Sequence, residues 1–338
     1  MLQTRPGIAV IRNALKVACR APSIHNSQPW HWVLNEPELQ LFVDRIRRVD
    51  IADQSGREAI LSCGSVLDHL RVAMTSAGWK AQISRFPEPD NPDLLATIAF
   101  RPVEFVTEIQ HKRAAAILER RTDRLPLCRP TLWTWFLPGL QKEVGDTAVM
   151  LNELSDEVRP QLASASHSTK IVRGNDATYQ AELQWWTSSF ALSDGIPPET
   201  LASASELRRI DIGRDFPTTS HSERRTGVAL DWSRILVLST SGDTRVDVLR
   251  CGEALSRVLL ECTMAGMATC TLTHLIELEE SRNIVRRLIG QRGEPQVLIR
   301  VGIAPPMEVL PAATPRLPLD AVLQIAESEV LCSKDNCR

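Results

Sequence analysis

Two stretches of the chain carry apolar residues at the spacing of an amphipathic helix. They are residues 63–78, CGSVLDHLRVAMTSAG, and residues 251–266, CGEALSRVLLECTMAG, and each ends on a glycine suited to a helix C-cap. Strand-like runs lie before and after each stretch, at 31–43 and 94–100 for the first and at 235–238 and 297–301 for the second. The pattern predicts a mixed α and β protein with a repeated strand-helix-strand unit.

The two helical stretches are also similar to each other. Both begin with Cys-Gly and end with Ala-Gly at the same spacing, and Leu67 and Thr75 align with Leu255 and Thr263. Two unrelated buried helices can match in this way by chance. Because the flanking strand patterns match as well, internal duplication is the favoured interpretation.

The predicted halves differ in length. The first covers residues 1–108 and the second residues 109–325, followed by a polar tail at 326–338. The second half opens with a helix whose start, Thr107 followed by Gln110 three residues later, has a capping-box pattern.

The second half contains a predicted insert at about residues 180–231. It carries Trp185 and Trp186, a proline-containing turn at 194–198 and a basic, serine-rich stretch that runs to Arg225. A segment of this length between regular elements is usually a lid or an interaction loop. A plain surface excursion is the alternative.

Composition narrows the class of protein. The 338 residues are 43% hydrophobic and 24% charged, which is typical of a globular chain long enough for two packed domains. The net charge of -2 disfavours nucleic-acid and membrane-surface partners, both of which favour a basic excess. No apolar run approaches the roughly 20 residues of a spanning helix. The N-terminus lacks the apolar core of a signal peptide, so we expect it to be retained.

The eight cysteines are too dilute in a chain of this length to indicate a disulfide framework. No CxxC pattern occurs, and the seven histidines show no metal-ligand spacing. We therefore expect no metal, exposed thiols at Cys332 and Cys337, and a cytoplasmic location. Five cysteines in apolar, helix-like surroundings are expected to be reduced and buried: Cys19, Cys63, Cys251, Cys262 and Cys270.

A stiff polar loop follows the first predicted helix. Residues 21–30, APSIHNSQPW, combine two prolines with the polar side chains of Ser23, Asn26 and Gln28. Such a loop can present several hydrogen bonds to a planar heterocycle. The alternative is a helix-to-strand turn that packs Trp30 in the core.

Two segments are rich in arginine. Residues 119–124, ERRTDR, form a plausible phosphate clamp because guanidinium groups pair bidentately with phosphate oxygens. Cations at a helix C-terminus explain the same residues without a ligand. The second segment places Arg316 between prolines after the last predicted strand, so the two segments share an anion only if the chain folds back. A hydroxyl-rich stretch at 266–274 is small enough for its backbone to approach a ring.

Taken together, these segments resemble the flavin-dependent nitroreductase family. The PS-x-x-N-x-QPW run is similar to the signature of that family, the RRTxR run to its R-x-S-x-R/K phosphate segment, and the TPRLP run to its C-terminal K-x-R-x-P segment. In ordinary members the two kinds of segment come from different subunits of a homodimer. Both occur here in one chain, which implies an α+β, nitroreductase-like fold duplicated as a fused pseudo-dimer, similar to the Acg-type branch.

The resemblance implies one FMN site. Thr273 and His274 stand where the family usually has Glu-Gly, so a histidine is expected to add bulk over the reactive ring. Ile24 replaces a common hydroxyl, and Thr314 stands where a lysine is common. The residues expected to bind FMN are Pro22, Ser23, Ile24, Asn26, Arg120, Arg121, Thr122, Arg124, Thr273, His274 and Arg316.

The resemblance also implies a function. NADH or NADPH would reduce the flavin, and a nitroaromatic or quinone-type acceptor would then be reduced by ping-pong hydride transfer through flavin N5. No separate catalytic side chain is required. The alternative is a flavin-sequestering or storage protein in which the insert closes the site, with little or no turnover. We expect Trp30, Trp185 and Trp186 near the pocket, and a monomer or a weak homodimer.

Overall fold

A computed structural model of the chain describes residues 5–35, 38–145, 148–188, 193–219, 222–307 and 311–326. Nearly all of the predicted polar tail, with Cys332 and Cys337, lies outside these ranges. Within them, no helix combines the length and the apolar character needed to cross a membrane. The five cysteines expected to be buried and reduced are buried and unpaired.

The first part of the chain contains two of the helices and four strands. In chain order they are α1 (Ile8–Ala18), β1 (Trp30–Asn35), β2 (Glu38–Val43), α2 (Arg57–Ser76), β3 (Trp79–Arg85) and β4 (Leu94–Pro102).

The second part begins with the helix after the predicted capping box, where the Gln110 side chain accepts from the Thr107 backbone N–H at 2.7 Å. The elements in chain order are α3 (Glu108–Glu119), α4 (Trp133–Val144), β5 (Val149–Leu154), α5 (Arg159–Gly174), α6 (Ala177–Trp186), α7 (Ala204–Leu207), β6 (Arg234–Thr240), α8 (Arg245–Met264), β7 (Ala268–Leu272), α9 (His274–Glu277), α10 (Glu279–Leu288), β8 (Glu294–Gly302) and β9 (Leu323–Ile325).

The two sheets share one topology. The first has the order β3-β4-β2-β1 and the second the order β7-β8-β6-β5, with every neighbour antiparallel. The short β9 extends the first sheet by pairing parallel with β1, where Trp32 lies opposite Leu323. The segment at the end of the predicted second half therefore returns to the first sheet. The predicted α+β class is confirmed.

Helices α2 and α8 form the centre of the molecule. Each has 20 residues, packs on its own sheet and crosses the other helix at a glycine. A Cβ on Gly64 would lie 2.1 Å from the Leu249 carbonyl oxygen, and a Cβ on Gly252 would lie 2.1 Å from the Leu61 carbonyl oxygen. The crossing is therefore reciprocal, and one hydrophobic core extends across both halves.

The connection between β5 and β6 distinguishes the two halves. Two residues separate β1 from β2, whereas the β5–β6 connection runs over residues 155–233 and contains α5, α6 and α7. This connection, called the insert below, starts well before the predicted boundary near residue 180. Its helix α5 packs with α9 and α10, and its side chain Leu162 joins Val237 and Leu298 of the second sheet in one apolar cluster.

Candidate functional site

The loop between α1 and β1 has an unusual backbone. His25, Asn26 and Gln28 have φ angles of 49°, 59° and 53°, in the left-handed region that residues other than glycine seldom adopt. The Ser23 hydroxyl accepts a hydrogen bond from the Gln28 backbone N–H at 3.0 Å and closes the loop. Backbone strain of this kind persists only where the surrounding structure holds it, and it is concentrated at functional sites.

Beside this loop lies a cavity of about 560 Å³, solvent at its mouth included, which we call the arginine cavity. It brings together the loop, the chain after α3 and the C-terminal segment, which the sequence predicted to share an anion. The basic residues of its lining, and polar residues beside them, are Arg20, Asn26, Arg120, Arg121, Thr122, Arg124, Thr314 and Arg316.

Backbone carbonyl groups hold the guanidinium groups of this cavity in place. Arg316 donates to the carbonyl oxygens of Cys19, Arg20 and Ala21 at 3.1–3.2 Å, at the C-terminal end of α1. Arg120 donates to the Arg20 carbonyl at 3.3 Å. Carbonyl groups fix the positions of the cations but do not neutralise their charge.

The charge of the arginine cavity is uncompensated. In the described ranges no carboxylate forms a salt bridge with Arg20, Arg120 or Arg316, and Arg120 Nε is buried without a hydrogen-bond partner. Burial and the neighbouring Arg20 lower the pKa of Arg120 to about 10, and burial with Arg120 and Arg20 lowers the pKa of Arg316 to about 9. Mutual repulsion of buried cations is relieved when an anion binds between them.

A second cavity of about 710 Å³, again with its mouth included, adjoins the first and is called the central cavity. Helices α2 and α8 supply its inner wall through Leu61, Ser62, Ser65 and Leu255. The end of β7 supplies residues 270–273. Five residues line both cavities, so the two form one continuous site: Pro22, Ser23, Thr122, Arg124 and Ile196.

The insert contributes Ile196, Arg214 and Phe216 to the wall of the central cavity. The Phe216 ring lies edge-on to His25 with centroids 6.1 Å apart, and the Arg124 guanidinium lies 5.2 Å from its centroid. Arg214 donates to Thr273 Oγ1 at 2.8 Å and forms an ion pair with Glu277. The insert is therefore tied to the second half beneath the cavity.

The insert is also tied to the first half. The Gln28 amide donates to the Ser193 carbonyl at 2.9 Å, and Arg47 forms a salt bridge with Asp194 at 2.7 Å. The Asn26 amide donates to the carbonyls of Gly195 and Pro315, at 3.0 and 3.2 Å. Asn26 thus lines the arginine cavity while it joins the loop, the insert and the C-terminal segment.

His274 does not occupy the position expected from the sequence. Its ring packs against α5, where Nε2 lies 2.9 Å from Ser166 Oγ, and the residue is 2% exposed. Burial, with Arg214 and Lys170, lowers its pKa well below the usual value and keeps the ring neutral. The ring is absent from the lining of both cavities, so the expected bulk over the reactive face is not present; Thr273 alone of the pair lines the site.

The tryptophan prediction is also corrected. Trp30 is fully buried in the main core, and Trp185 is 70% exposed. Trp186 packs in an apolar cluster with Ile24 and Phe216, which line the central cavity. It is the one predicted tryptophan that supports the site.

Several residues of the site were not identified from the sequence. Arg20 immediately precedes the polar loop, and its position beside that motif could have suggested it. His25 lies within that loop, between two residues that were identified. Nothing local distinguishes the others, because long-range packing brings them to the cavity: Glu58, Ser62, Ile196, Arg214 and Phe216.

The relatives of the chain are mycobacterial. It is 57% identical over 323 residues to "uncharacterized protein Rv3127" of Mycobacterium tuberculosis, with 94% of each chain covered. It is 51% identical over 316 residues to "putative NAD(P)H nitroreductase acg" of the same species, covering 94% of this chain and 96% of the relative. No protein-family profile matches. The chain belongs to the nitroreductase-like superfamily, in its Acg-type branch.

Solved structures with similar folds are also nitroreductases. One is a "putative nitroreductase" of Anabaena variabilis, with a TM-score of 0.47 and 8% identity, covering 87% of this chain and 73% of that one. Another is the FMN-dependent nitroreductase NfnB of Mycobacterium smegmatis in complex with NADPH, with a TM-score of 0.40 and 12% identity, covering 65% and 100%.

Proposed function

We propose that the chain binds one FMN, with its phosphate in the arginine cavity and its isoalloxazine ring in the central cavity. The observation that carries the proposal is the group of arginines held by carbonyls, without carboxylate partners among the described residues, at the mouth of an adjoining partly apolar cavity. A planar ligand with a phosphate at one end matches this arrangement of charge.

The phosphate would be held by Arg120, Arg316 and Arg20, with Thr122 as a hydroxyl donor and Arg121 and Arg124 at the edges. Charge-assisted contacts contribute roughly 1.5–3 kcal/mol each. The orphaned Nε of Arg120 would gain a partner when an anion binds. The absence of a lysine at Thr314 is offset by Arg20, which donates to the Thr314 carbonyl at 2.9 Å.

The ring would lie between the polar loop and the end of β7. Pro22, Ser23 and Ile24 would contact it from the first half and Thr273 from the second, while Ile196 and Phe216 exclude water. The chemistry that FMN supplies when bound is hydride transfer, here from NADH or NADPH to a nitroaromatic or quinone-type acceptor. We infer this reductase activity from the names of the relatives and the form of the site.

A second function, flavin sequestration, is favoured by one observation. The insert lines one side of the central cavity through Ile196, Arg214 and Phe216 and is fastened to both halves through Asn26, Asp194 and Arg214. An insert that acts as a lid over the ring would have to be displaced before a nicotinamide or an acceptor could reach it. A cover that stays closed would give a protein that holds flavin with little turnover.

We also infer that the two halves arose by duplication and form a pseudo-dimer within one chain. The shared strand order, the equal lengths of α2 and α8 and their reciprocal glycine contact support this inference. Because both kinds of FMN segment are in one chain, a monomer completes the site, and a homodimer would be weak. Sedimentation at several protein concentrations tests this expectation.

The visible spectrum of the purified protein, followed by anaerobic addition of NADPH, tests the proposal. A bound oxidised-flavin band that bleaches supports the reductase, and a bound band that persists supports sequestration. A colourless protein that does not bind added FMN contradicts the proposal.

The arginine cavity is tested by the double variant R120A/R316A. Loss of two charge-assisted contacts should weaken FMN binding by about a hundredfold or more, measured by fluorescence titration of the apoprotein. The matched control is R12A, because Arg12 also joins α1 to the C-terminal segment, through a salt bridge to Asp320 at 2.7 Å outside the cavity. A double variant with wild-type affinity would remove these arginines from the site.

A further inference from the structure

A buried carboxyl group in the central cavity has no role in the function proposed so far. Glu58 lies in the first turn of α2, is 4% exposed and lines the cavity. Its Oε2 atom is buried and has no hydrogen-bond partner within the described part of the chain. A buried carboxylate without partners is costly, so this group is stable there only as the neutral acid or with a ligand that satisfies it.

The neighbouring Asp53 takes the hydrogen bonds that would otherwise stabilise a charge on Glu58. Its two carboxylate oxygens accept from the backbone N–H groups of Glu58 and Ala59, at 3.0 and 2.8 Å. Those are free N–H groups at the start of α2, where a negative charge is favourable. Burial raises the pKa of Asp53 to about 6 in spite of these hydrogen bonds, so above that pH Asp53 carries the charge and Glu58 the proton.

The charged groups that face Glu58 come from four parts of the fold. Asp53 precedes α2, Glu277 lies on α9, Arg57 is on α2 and Arg214 is on the insert. Both arginines are engaged elsewhere: Arg214 with Glu277, and Arg57 with the Gln296 carbonyl at 3.0 Å and with Asp243 at 3.6 Å. Burial, with Glu277 and Asp53, outweighs them and raises the pKa of Glu58 well above its usual value.

We propose that Glu58 is a neutral carboxylic acid that donates a hydrogen bond to an acceptor atom, a carbonyl oxygen or ring nitrogen, of the planar ligand in the central cavity. This inference rests on the proposed FMN site and adds a specificity-determining residue to it. A ring without an acceptor at that position would leave the donor unsatisfied and would be rejected.

The proposal has a defined pH dependence. Below the raised pKa of Glu58, its carboxyl group is protonated and can donate to the ring. Above that pKa, the carboxylate is a charged acceptor that faces another acceptor, the ring atom. The affinity for the ring must therefore fall as the pH rises. Riboflavin is the appropriate probe because it lacks the phosphate, whose own second pKa is about 6.

The experiment measures riboflavin and FMN binding to the apoprotein between pH 7 and pH 9.5, above the pKa of about 6 of Asp53, for wild type, E58Q and E58A. Wild type should lose about tenfold in riboflavin affinity towards high pH. E58A should bind about fivefold more weakly than wild type at pH 7, because one hydrogen bond is missing. E58Q keeps a neutral donor and should rescue the affinity while its pH profile becomes flat.

The matched control is E253Q. Glu253 is a buried glutamate of α8, but it pairs with Arg85 outside the cavity at 2.6 Å, so its neutralisation should leave the riboflavin profile unchanged. A wild-type profile that stays flat, or an E58A variant that binds riboflavin like wild type, overturns the proposal. If wild type binds neither flavin, the proposed FMN function itself is wrong.

Infrared spectroscopy supplies a readout that needs no ligand. Apoprotein labelled with ¹³C-glutamate should show a protonated carboxyl band at pH 7 that is absent from E58Q. A difference spectrum that contains a carboxylate band in its place contradicts the assignment, even if flavin binds.

Discussion

The two sheets have the same strand order but differ in burial. In the first sheet, β2, the counterpart of β6, alternates buried with exposed or partly exposed residues, which is typical of a sheet covered on one surface. In the second sheet, β6 and β8 are buried along almost their whole length. The difference arises because α5 of the insert packs, with α9 and α10, over the surface that the first sheet leaves partly open.

This asymmetry explains how a repeated unit can produce a single site. The inner layer, in which α2 packs against α8, is built from the same element of each half. The outer layer differs between the halves, because the β5–β6 connection that buries the second sheet also continues through Ile196, Arg214 and Phe216, which line the central cavity. The long β5–β6 connection thus gives the second half a wall of the cavity that the short β1–β2 connection of the first half cannot supply.

The largest expected effect concerns the shared inner layer. G64A and G252A each place a Cβ 2.1 Å from a carbonyl oxygen of the facing helix. Each should lower the free energy of unfolding by about 3 kcal/mol or more, measured by urea denaturation. Equal losses would support the equivalence of the two halves at this contact.

The control for both glycine variants is G139A. Gly139 lies on α4, where an added Cβ meets no atom within 4 Å, so alanine should be neutral or stabilise by up to about 1 kcal/mol. A G252A variant as stable as G139A would show that α2 and α8 do not touch at these positions.

A smaller effect on stability concerns a position at which α2 and α8 differ, since a buried histidine of α2 faces a serine of α8. His69 of α2 is fully buried beside Ser256 of α8, with Nδ1 2.9 Å from Ser256 Oγ, and burial followed by Arg120 lowers its pKa to about 3. Below pH 6.5 His69 becomes protonated in the unfolded chain but stays neutral in the folded chain. The free energy of unfolding therefore falls as the pH falls. The loss attributable to His69 should reach about 2 kcal/mol at pH 5.

The variant H69Q should remove this part of the acid sensitivity, measured as the slope of unfolding free energy against pH between 5 and 6.5. The exposed His111 of α3 provides the control, and H111Q should leave the slope as it is in wild type. An unchanged slope in H69Q would show that this histidine is not the buried neutral group.

The smallest effect on stability tests the cover. D194A removes the half-buried salt bridge to Arg47 and should cost at most about 1 kcal/mol. Hydrogen exchange of residues 193–219 should nevertheless accelerate, because the insert loses one of its ties to the first half. D93A, which breaks the Arg45–Asp93 pair within the first half, should not accelerate it.

Much of the fold could be predicted from residue patterns. The strand-like runs at 31–34, 39–43, 235–238 and 297–301 fall on strands, and the stretches 63–78 and 251–266 fall largely on the two central helices. The resemblance assigned the arginines of residues 120–124 and Arg316 to one phosphate site, and these arginines line one cavity.

The rest of the site depends on contacts that sequence spacing does not encode. Arg214, Phe216 and Glu58 come from separate elements and meet only after the insert has folded across the halves. The orientation of His274 was wrong because a partner on α5, Ser166, determines it. Trp185 was misplaced because it lies on the outward side of α6, whose buried side carries Tyr179 and Leu183.

The bridging amide of Asn26 has a consequence for biosynthesis. Its two acceptors, the carbonyls of Gly195 and Pro315, are translated about 170 and 290 residues later, so this loop lacks its partners until both segments have been made. A nascent chain that ends before Pro315 would therefore have no complete pocket to load. Flavin supply would matter only after that point, when the newly made segments meet the loop.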